Sequence, residues 1–326
     1  MIGGVLQTAP MGPIFVGGAS RSGKTLMRWI LSSHPRIVVT RRAEMWPRFY
    51  GRFGDLGRRE NFERCLRAML GREQIASLAP DLERLRHDFW RGRPIYARLF
   101  ALLHEQHAER SGKARWGDQT GLVERFTDEL MSAYRGAKMV HLIRDPRDRH
   151  EAILERGPRR LGAVGRSTAG WISSVKLAKR NGQRYPGSYK AVRYEALVTR
   201  PGDTMLAVCD FLGEDYEPAM IRMEDVRRYR EQRIAGSDEG LISTAYVGRY
   251  RRTISCFDLA FIQAVAGQQM VDLGYSPDPV QLSPSEMVRG ATVYWPAGIA
   301  HMGSTRLLDA LRRRPVRLSG YPESGR

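Results

Sequence analysis

The sequence predicts an α/β fold: a three-layer sandwich with a central parallel sheet flanked by helices, of the P-loop-like nucleotide-binding kind. Three observations carry this. Residues 13–18 form a short apolar run stopped by Gly17 and Gly18, residues 18–25 form a glycine loop that opens a helical pattern over 25–31, and residues 36–40 return to an apolar strand pattern. Strand, glycine loop, helix and strand make the opening unit of a parallel sheet, because parallel neighbours need a crossover and a helix supplies it. With 326 residues, such a sheet can be buried without cross-links.

The remaining elements follow in order. The first helix ends near His34-Pro35, since the residue before a proline is pushed out of the helical region. Residues 60–111 mix polar and apolar positions without strand signals and predict several helices. Residues 138–143 and 189–194 predict two further strands, separated by a helix around 166–181, with helices again at 202–212 and 256–273. A proline-rich stretch over 276–284 marks the end of a main domain spanning 1–275, with an inserted helical region at about 45–111 and a C-terminal extension at 276–326 that no pattern assigns. Cys65, Cys209 and Cys256 are an odd set without a CxxC pair, which argues against a disulfide framework or a zinc site and fits a reducing compartment. The N-terminus lacks a basic segment followed by a long apolar one, and no stretch approaches the ~20 apolar residues of a membrane span, so a cytoplasmic protein is expected.

The net charge of +18 invites a nucleic-acid reading. Six of the 53 basic residues are lysine and the other 47 are arginine, a skew that base composition can produce without functional meaning. The excess is also diffuse. Residues 41–72 hold nine arginines against four acids, and residues 306–326 hold six against two. No basic block with interleaved aromatics, zinc-finger spacing or RNA-binding signature occurs, so no specific nucleic-acid partner is expected. Guanidinium groups suit the oxygens of phosphate and sulfate, which favours an enzyme of anionic substrates over a polyanion-binding protein.

The loop Gly18-Ala19-Ser20-Arg21-Ser22-Gly23-Lys24-Thr25 fits GxxxxGK[ST] and sits between a strand and a helix, as that motif requires. Its glycines let backbone N–H groups curl around oxygens, the helix N-terminus adds its positive dipole end, and Lys24 and Thr25 supply donors. Read literally, the loop indicates a kinase or nucleoside triphosphatase using magnesium and ATP, with an acid at the end of a neighbouring strand to hold the ion. The strand at 138–143 instead runs directly into Arg144, a cation where a magnesium site needs an acid. An anion site would place it there.

The chain resembles the sulfotransferases that use 3′-phosphoadenosine 5′-phosphosulfate (PAPS), in particular their bacterial and Golgi-type branch. The resemblance runs through Ser20-Arg21-Ser22-Gly23-Lys24-Thr25-Leu26, Ser33-His34-Pro35-Arg36-Ile37, Trp116-Gly117-Asp118-Gln119-Thr120 and His141-Leu142-Ile143-Arg144-Asp145-Pro146-Arg147-Asp148. It continues through Trp171, Arg193-Tyr194-Glu195-Ala196-Leu197-Val198, Phe211-Leu212-Gly213, Val247-Gly248-Arg249-Tyr250 and Leu273-Gly274-Tyr275. It implies that Ser20, Arg21, Ser22, Gly23, Lys24, Thr25 and Leu26 cradle the 5′-phosphosulfate. Arg144 would hold the 3′-phosphate, with Tyr194 near the nucleotide and Arg249 a further candidate at the 3′-phosphate end. Arg21 and Lys24 would stabilise the leaving phosphate, and Glu44, the only acid between His34 and Asp55, would be the general base, unless it is a surface acid paired with Arg41 or Arg48. No metal is required, and the acceptor would be a small molecule, lipid or carbohydrate bearing a hydroxyl or amine, bound by the helical insertion.

Two positions depart from the family pattern. Ala152 stands where the family has a 3′-phosphate-binding serine, a role His150 or another arginine would have to fill, and Gln119 stands where it has a lysine, whose charge Lys24 could replace. Asp145, Arg147 and Asp148 are expected to be a helix cap and a solvated first turn. His104 and His107 are expected on a solvated helix face, since their i, i+3 spacing misses the zinc-protease pattern, and His141 is expected as a satisfied core group.

Overall fold

The computed structural model describes residues 11–41, 44–157, 160–223 and 242–312. Its centre is a five-stranded, wholly parallel sheet in the order β2-β3-β1-β4-β5. In chain order the elements are β1 (Ile14–Gly18), α1 (Lys24–Ser32), β2 (Ile37–Arg41), α2 (Met45–Phe49), α3 (Arg59–Leu70), α4 (Glu73–Ala76), α5 (Leu82–Trp90), α6 (Tyr96–Arg110) and β3 (Arg115–Gln119). A 3₁₀ turn at Val123–Phe126 leads to α7 (Thr127–Ala133), β4 (Lys138–Ile143), α8 (Pro146–Leu154), α9 (Ala163–Arg184), β5 (Tyr189–Arg193), α10 (Tyr194–Thr199) and α11 (Pro201–Leu212). The predicted four strands and the helices at 166–181, 202–212 and 256–273 are all present, with small shifts at their ends.

Alternation along β1 explains the layering. Ile14 and Val16 face a core built with Met27, Ile30 and Leu31 of α1 and Met205, Val208 and Leu212 of α11. Phe15 points to the opposite face, into a larger core of the helical insertion, α9 and the helix Cys256–Asp272. A strand buried on both faces reads as an unbroken apolar run, which is why β1 and β4 are legible in sequence.

β3 is not legible that way. Its sequence, Arg-Trp-Gly-Asp-Gln, has no strand pattern, yet it lies between β2 and β1 with every residue buried. Polar partners substitute for apolar packing: the Arg115 guanidinium donates to the carbonyls of Gly12 and Leu212 and pairs with Glu214 at 3.2 Å, and Asp118 accepts from the Thr40 hydroxyl at 3.2 Å. Gly117 is required here, because a Cβ would lie 2.6 Å from the Ile14 carbonyl oxygen.

Two sequence expectations are corrected by burial. His104 is fully buried rather than on a solvated face, with its ring nitrogens 3.0 Å from the Thr40 hydroxyl and 2.8 Å from the Phe100 carbonyl. The first turn of α8 is likewise buried: Asp145 does cap the helix by accepting from the Arg147 N–H at 2.9 Å, but Asp145, Arg147 and Asp148 are all inside. His141 is a satisfied core group, 2.9 Å from Ser174 Oγ and 2.5 Å from Tyr189 Oη, and burial lowers its pKa to about 4.

The C-terminal extension is helical over Pro284–Arg289 and Trp295–Arg312, joined by a π turn at Gly290–Tyr294. Its last helix crosses α9 at glycine contacts so close that a Cβ on Gly165 would sit 1.8 Å from the Gly298 carbonyl oxygen. Among the described residues no helix is long and apolar enough to cross a membrane, and Cys65, Cys209 and Cys256 are free thiols. The basic run at 306–326 lies outside the residues whose side chains are described.

Candidate active site

The carboxyl ends of β1, β4 and β5 converge on the glycine loop. Gly18 at φ 119° and Gly23 at φ 94° adopt backbone conformations that side chains disfavour. A Cβ on Gly18 would lie 2.3 Å from the Leu142 carbonyl oxygen, and one on Gly23 would lie 2.5 Å from the Tyr194 ring. The loop is thereby pressed against β4 on one side and against Tyr194, the first residue after β5, on the other. Arg21 also takes a left-handed φ of 66°, and Ser22 Oγ closes the turn onto the Ala19 carbonyl at 2.8 Å. Lys24 Nζ reaches back to the carbonyls of Gly18 and Ala19, both at 2.6 Å. Ser20 and Thr25 are exposed at the loop, whereas Leu26 turns its side chain into the core, leaving only its backbone toward the loop.

Arg144 stands at the end of β4, 6% exposed. Its guanidinium donates to the Arg21 carbonyl at 3.3 Å and the Tyr246 carbonyl at 2.8 Å, and lies 4.6 Å from the centre of the Tyr194 ring. Burial raises the Tyr194 phenol above its ordinary pKa, so it is a neutral platform at physiological pH. Arg144 and Tyr194 thus sit directly against the loop, at Arg21 and at Gly23. Arg249 lies over the Tyr246 ring at 5.6 Å and pairs with Glu151 at 3.4 Å and Glu155 at 3.1 Å.

The separated sequence blocks meet around this site through hydrogen bonds. Glu195 accepts from the Asp145 N–H and from the Tyr275 hydroxyl, both at 2.8 Å, tying the end of β4 to the Leu-Gly-Tyr block. Asp148 accepts from the Gly248 and Tyr250 N–H groups at 2.7 and 3.0 Å, which fixes the segment carrying Arg249. Trp171 donates its indole N–H to the Arg144 carbonyl at 2.8 Å. Asp148, Glu195 and Trp171 therefore shape the site without lining the loop. The alternating charges of Asp145-Pro-Arg-Asp-Arg-His-Glu hide this in sequence, since a charge run is ordinarily a solvated helix face.

Glu44 forms the surface pair with Arg48 that the sequence offers as its alternative role, next to the end of β3. Its N–H donates to Thr120 Oγ1 at 3.3 Å, just beyond the end of β3, and the adjoining Gly121 lies beside Lys24 Nζ. Its carboxylate pairs with Arg48 at 2.6 Å, and both side chains are substantially exposed. Gln119 is buried with an Oε1 that lacks a hydrogen-bond partner, and as a neutral amide it supplies no cation at this position. Near Ala152, Arg149 donates to Ser20 and Ser167 from within the protein, while the His150 ring makes no hydrogen bond and has its Nε2 3.5 Å from Asp258.

The profile of the sulfotransferase family matches residues 13–218. The chain belongs to the sulfotransferase family. That membership favours sulfuryl transfer over either a magnesium-dependent kinase or a polyanion-binding protein. In fold, this sulfotransferase is similar to the sulfotransferase domain of the Synechococcus PCC 7002 olefin synthase, at 18% identity and a TM-score of 0.51, covering 88% of this chain and 97% of that one. It is also similar to the sulfotransferase domain from the curacin biosynthetic pathway, at 18% identity and a TM-score of 0.52, covering 82% and 99% of the two chains. No curated protein matches the sequence.

Proposed function

We propose that this sulfotransferase takes its sulfuryl group from PAPS and delivers it to a hydroxyl or amine of a small-molecule, lipid or carbohydrate acceptor in the cytoplasm, without a metal. The observation that supports PAPS most directly is the pairing of two cationic sites that meet at Tyr194: the loop 20–26, whose Gly23 packs on the ring, and Arg144, which is buried with neutral partners 4.6 Å from the ring centre. A donor with a phosphosulfate at one end and a 3′-phosphate at the other needs two such sites, and one glycine loop cannot serve both. Arg144 fits the 3′-phosphate because it is a guanidinium at a strand end held by backbone carbonyls and the Tyr194 ring, so its charge is left for an anion.

In the reaction, the acceptor oxygen forms a bond to sulfur as the bond from sulfur to the bridging oxygen breaks, and the acceptor proton leaves to a base. Arg21 and Lys24 neutralise the charge that develops on the departing phosphate. Glu44 is the proposed base; its place beyond Thr120 and Gly121, on the Lys24 side of the loop, supports that role, and release from Arg48 would free it to take the proton. The proposed acceptor region is the start of the helical insertion, where Trp46, Tyr50 and Phe126 form an aromatic group with centroid separations of 4.6, 5.9 and 6.0 Å directly after Glu44.

Calorimetry with 3′-phosphoadenosine 5′-phosphate (PAP), compared with ATP and magnesium, tests the donor. Tighter binding of PAP that survives chelation is expected; tighter binding of ATP that collapses on chelation would overturn it. Labelled-sulfate transfer from PAPS into a cell extract, followed by product identification, then gives the acceptor.

A further inference from the structure

Arg149 is an arginine buried to 5% exposure on α8, where guanidinium groups are rarely found without a carboxylate. Among the described residues none lies within ion-pair distance of it. Its bonds go to neutral groups: Nε to the Ser20 carbonyl at 2.8 Å, Nη2 to Ser20 Oγ at 3.2 Å, and Nη1 to the Ser167 carbonyl and Oγ at 2.8 and 3.1 Å. The nearby acids are engaged elsewhere, Asp148 by the Gly248 and Tyr250 amides and Glu151 by Arg249. Burial, and secondarily the charge of Arg144, pull the Arg149 pKa down to about 10, which still leaves it cationic at neutral pH. An uncompensated buried cation costs folding free energy, and an anion bound in front of it offsets that cost.

The geometry shows how the charge reaches such an anion. In a planar trans peptide the carbonyl and the following N–H point in opposite directions. Holding the Ser20 carbonyl toward Arg149 turns the Arg21 N–H the other way, and Arg144 does the same to the next peptide by holding the Arg21 carbonyl. At Ser20 the hydroxyl oxygen accepts from Arg149, so its hydrogen remains for an acceptor outside, and Ser20 is exposed. A cation behind a hydroxyl polarises it as a donor.

We propose that Arg149 is a positioning residue for the 5′-phosphosulfate end of the donor, acting through Ser20 and the Ser20–Arg21 peptide. This rests on the PAPS reading above. The test is calorimetry of wild type, Arg149→Gln, Ser20→Ala and the double variant with PAP, adenosine 5′-phosphate, adenosine 3′-phosphate and inorganic pyrophosphate. Arg149→Gln is expected to weaken adenosine 5′-phosphate, PAP and pyrophosphate about 10-fold or more, while adenosine 3′-phosphate changes less than about 2-fold. Ser20→Ala is expected to weaken the same three ligands about 3-fold and to add nothing to Arg149→Gln, because the two act as one unit. Equal losses for the 5′- and 3′-phosphates, or additive losses in the double variant, would overturn the proposal. Should Arg149→Gln fail to fold, an unchanged affinity of Ser20→Ala for pyrophosphate would overturn it equally. Wild type that binds pyrophosphate but not PAP would sink the donor reading, and an unchanged pyrophosphate affinity of Arg149→Gln would then sink the role of Arg149 as well; wild type that binds neither would sink both.

Discussion

The two sides of the site are held in different ways. On the donor side, Arg144, Tyr194 and the glycine loop are locked by buried contacts: backbone carbonyls accept from guanidinium groups, glycines sit against a ring and a strand, and Asp148 and Glu195 pin the flanking segments. On the proposed acceptor side, the Glu44 backbone bonds to Thr120 Oγ1 and to the Arg48 N–H, but its carboxylate has only an exposed ion pair with Arg48. Exposed pairs of this kind contribute at most about 1 kcal/mol, so the Glu44 carboxylate can leave Arg48 cheaply, whereas moving Arg144 strands buried donors. The proposed donor side is therefore preorganised, whereas on the proposed acceptor side the Glu44 carboxylate can move while Met45 and Trp46 beside it are buried.

Four experiments bear on that contrast. The largest effect is expected for Glu44→Gln, which should lower kcat by about 10²–10⁴ while the Kd of PAP stays within about 3-fold; a weakened PAP affinity with normal turnover would reverse the division of roles. Next, Arg144→Ala should weaken PAP by roughly 30- to 100-fold in calorimetry, since a charge-assisted bidentate contact is lost, and Arg144→Lys should recover only part of it. Third, Gly23→Ala should weaken PAP about 10-fold by driving a methyl group into the Tyr194 ring, and Tyr194→Ala in the same chain should relieve part of the loss; no relief would mean that the positive φ, not the ring, sets the requirement.

The smallest effect concerns stability. His141 is buried with a pKa lowered to about 4 against an ordinary 6.5, so the unfolded chain binds more protons than the folded one between those values. The stability that this neutral ring contributes is present above pH 6.5 and is lost as pH falls toward 4, by about 3 kcal/mol at the most. Denaturant titrations at pH 7 and pH 4.5 should show the loss, and His141→Gln should reduce it. Because the His141 side chain, within β4, bonds to Tyr189 and Ser174 rather than to the glycine loop, PAP affinity at pH 7 should change little between wild type and that variant.

Apolar strands, a glycine loop with a positive helix end behind it, and a cation at the end of β4 are local features, and each is written in a few consecutive residues. For that reason the sequence by itself determined the α/β class, the position of the glycine loop between β1 and α1, and the place of Arg144 at the end of β4. Residues whose roles depend on distant partners were decided only by the tertiary structure. β3 is a central strand because Arg115 and Asp118 find Leu212, Glu214 and Thr40 across the fold, and polar satisfaction of that sort leaves no periodicity to read. His104 and the first turn of α8 look solvated in sequence and are buried for the same reason. Arg149 is the sharpest case: one more arginine among 47, it becomes distinct only where folding removes it from water and gives it Ser20 rather than an acid to hold.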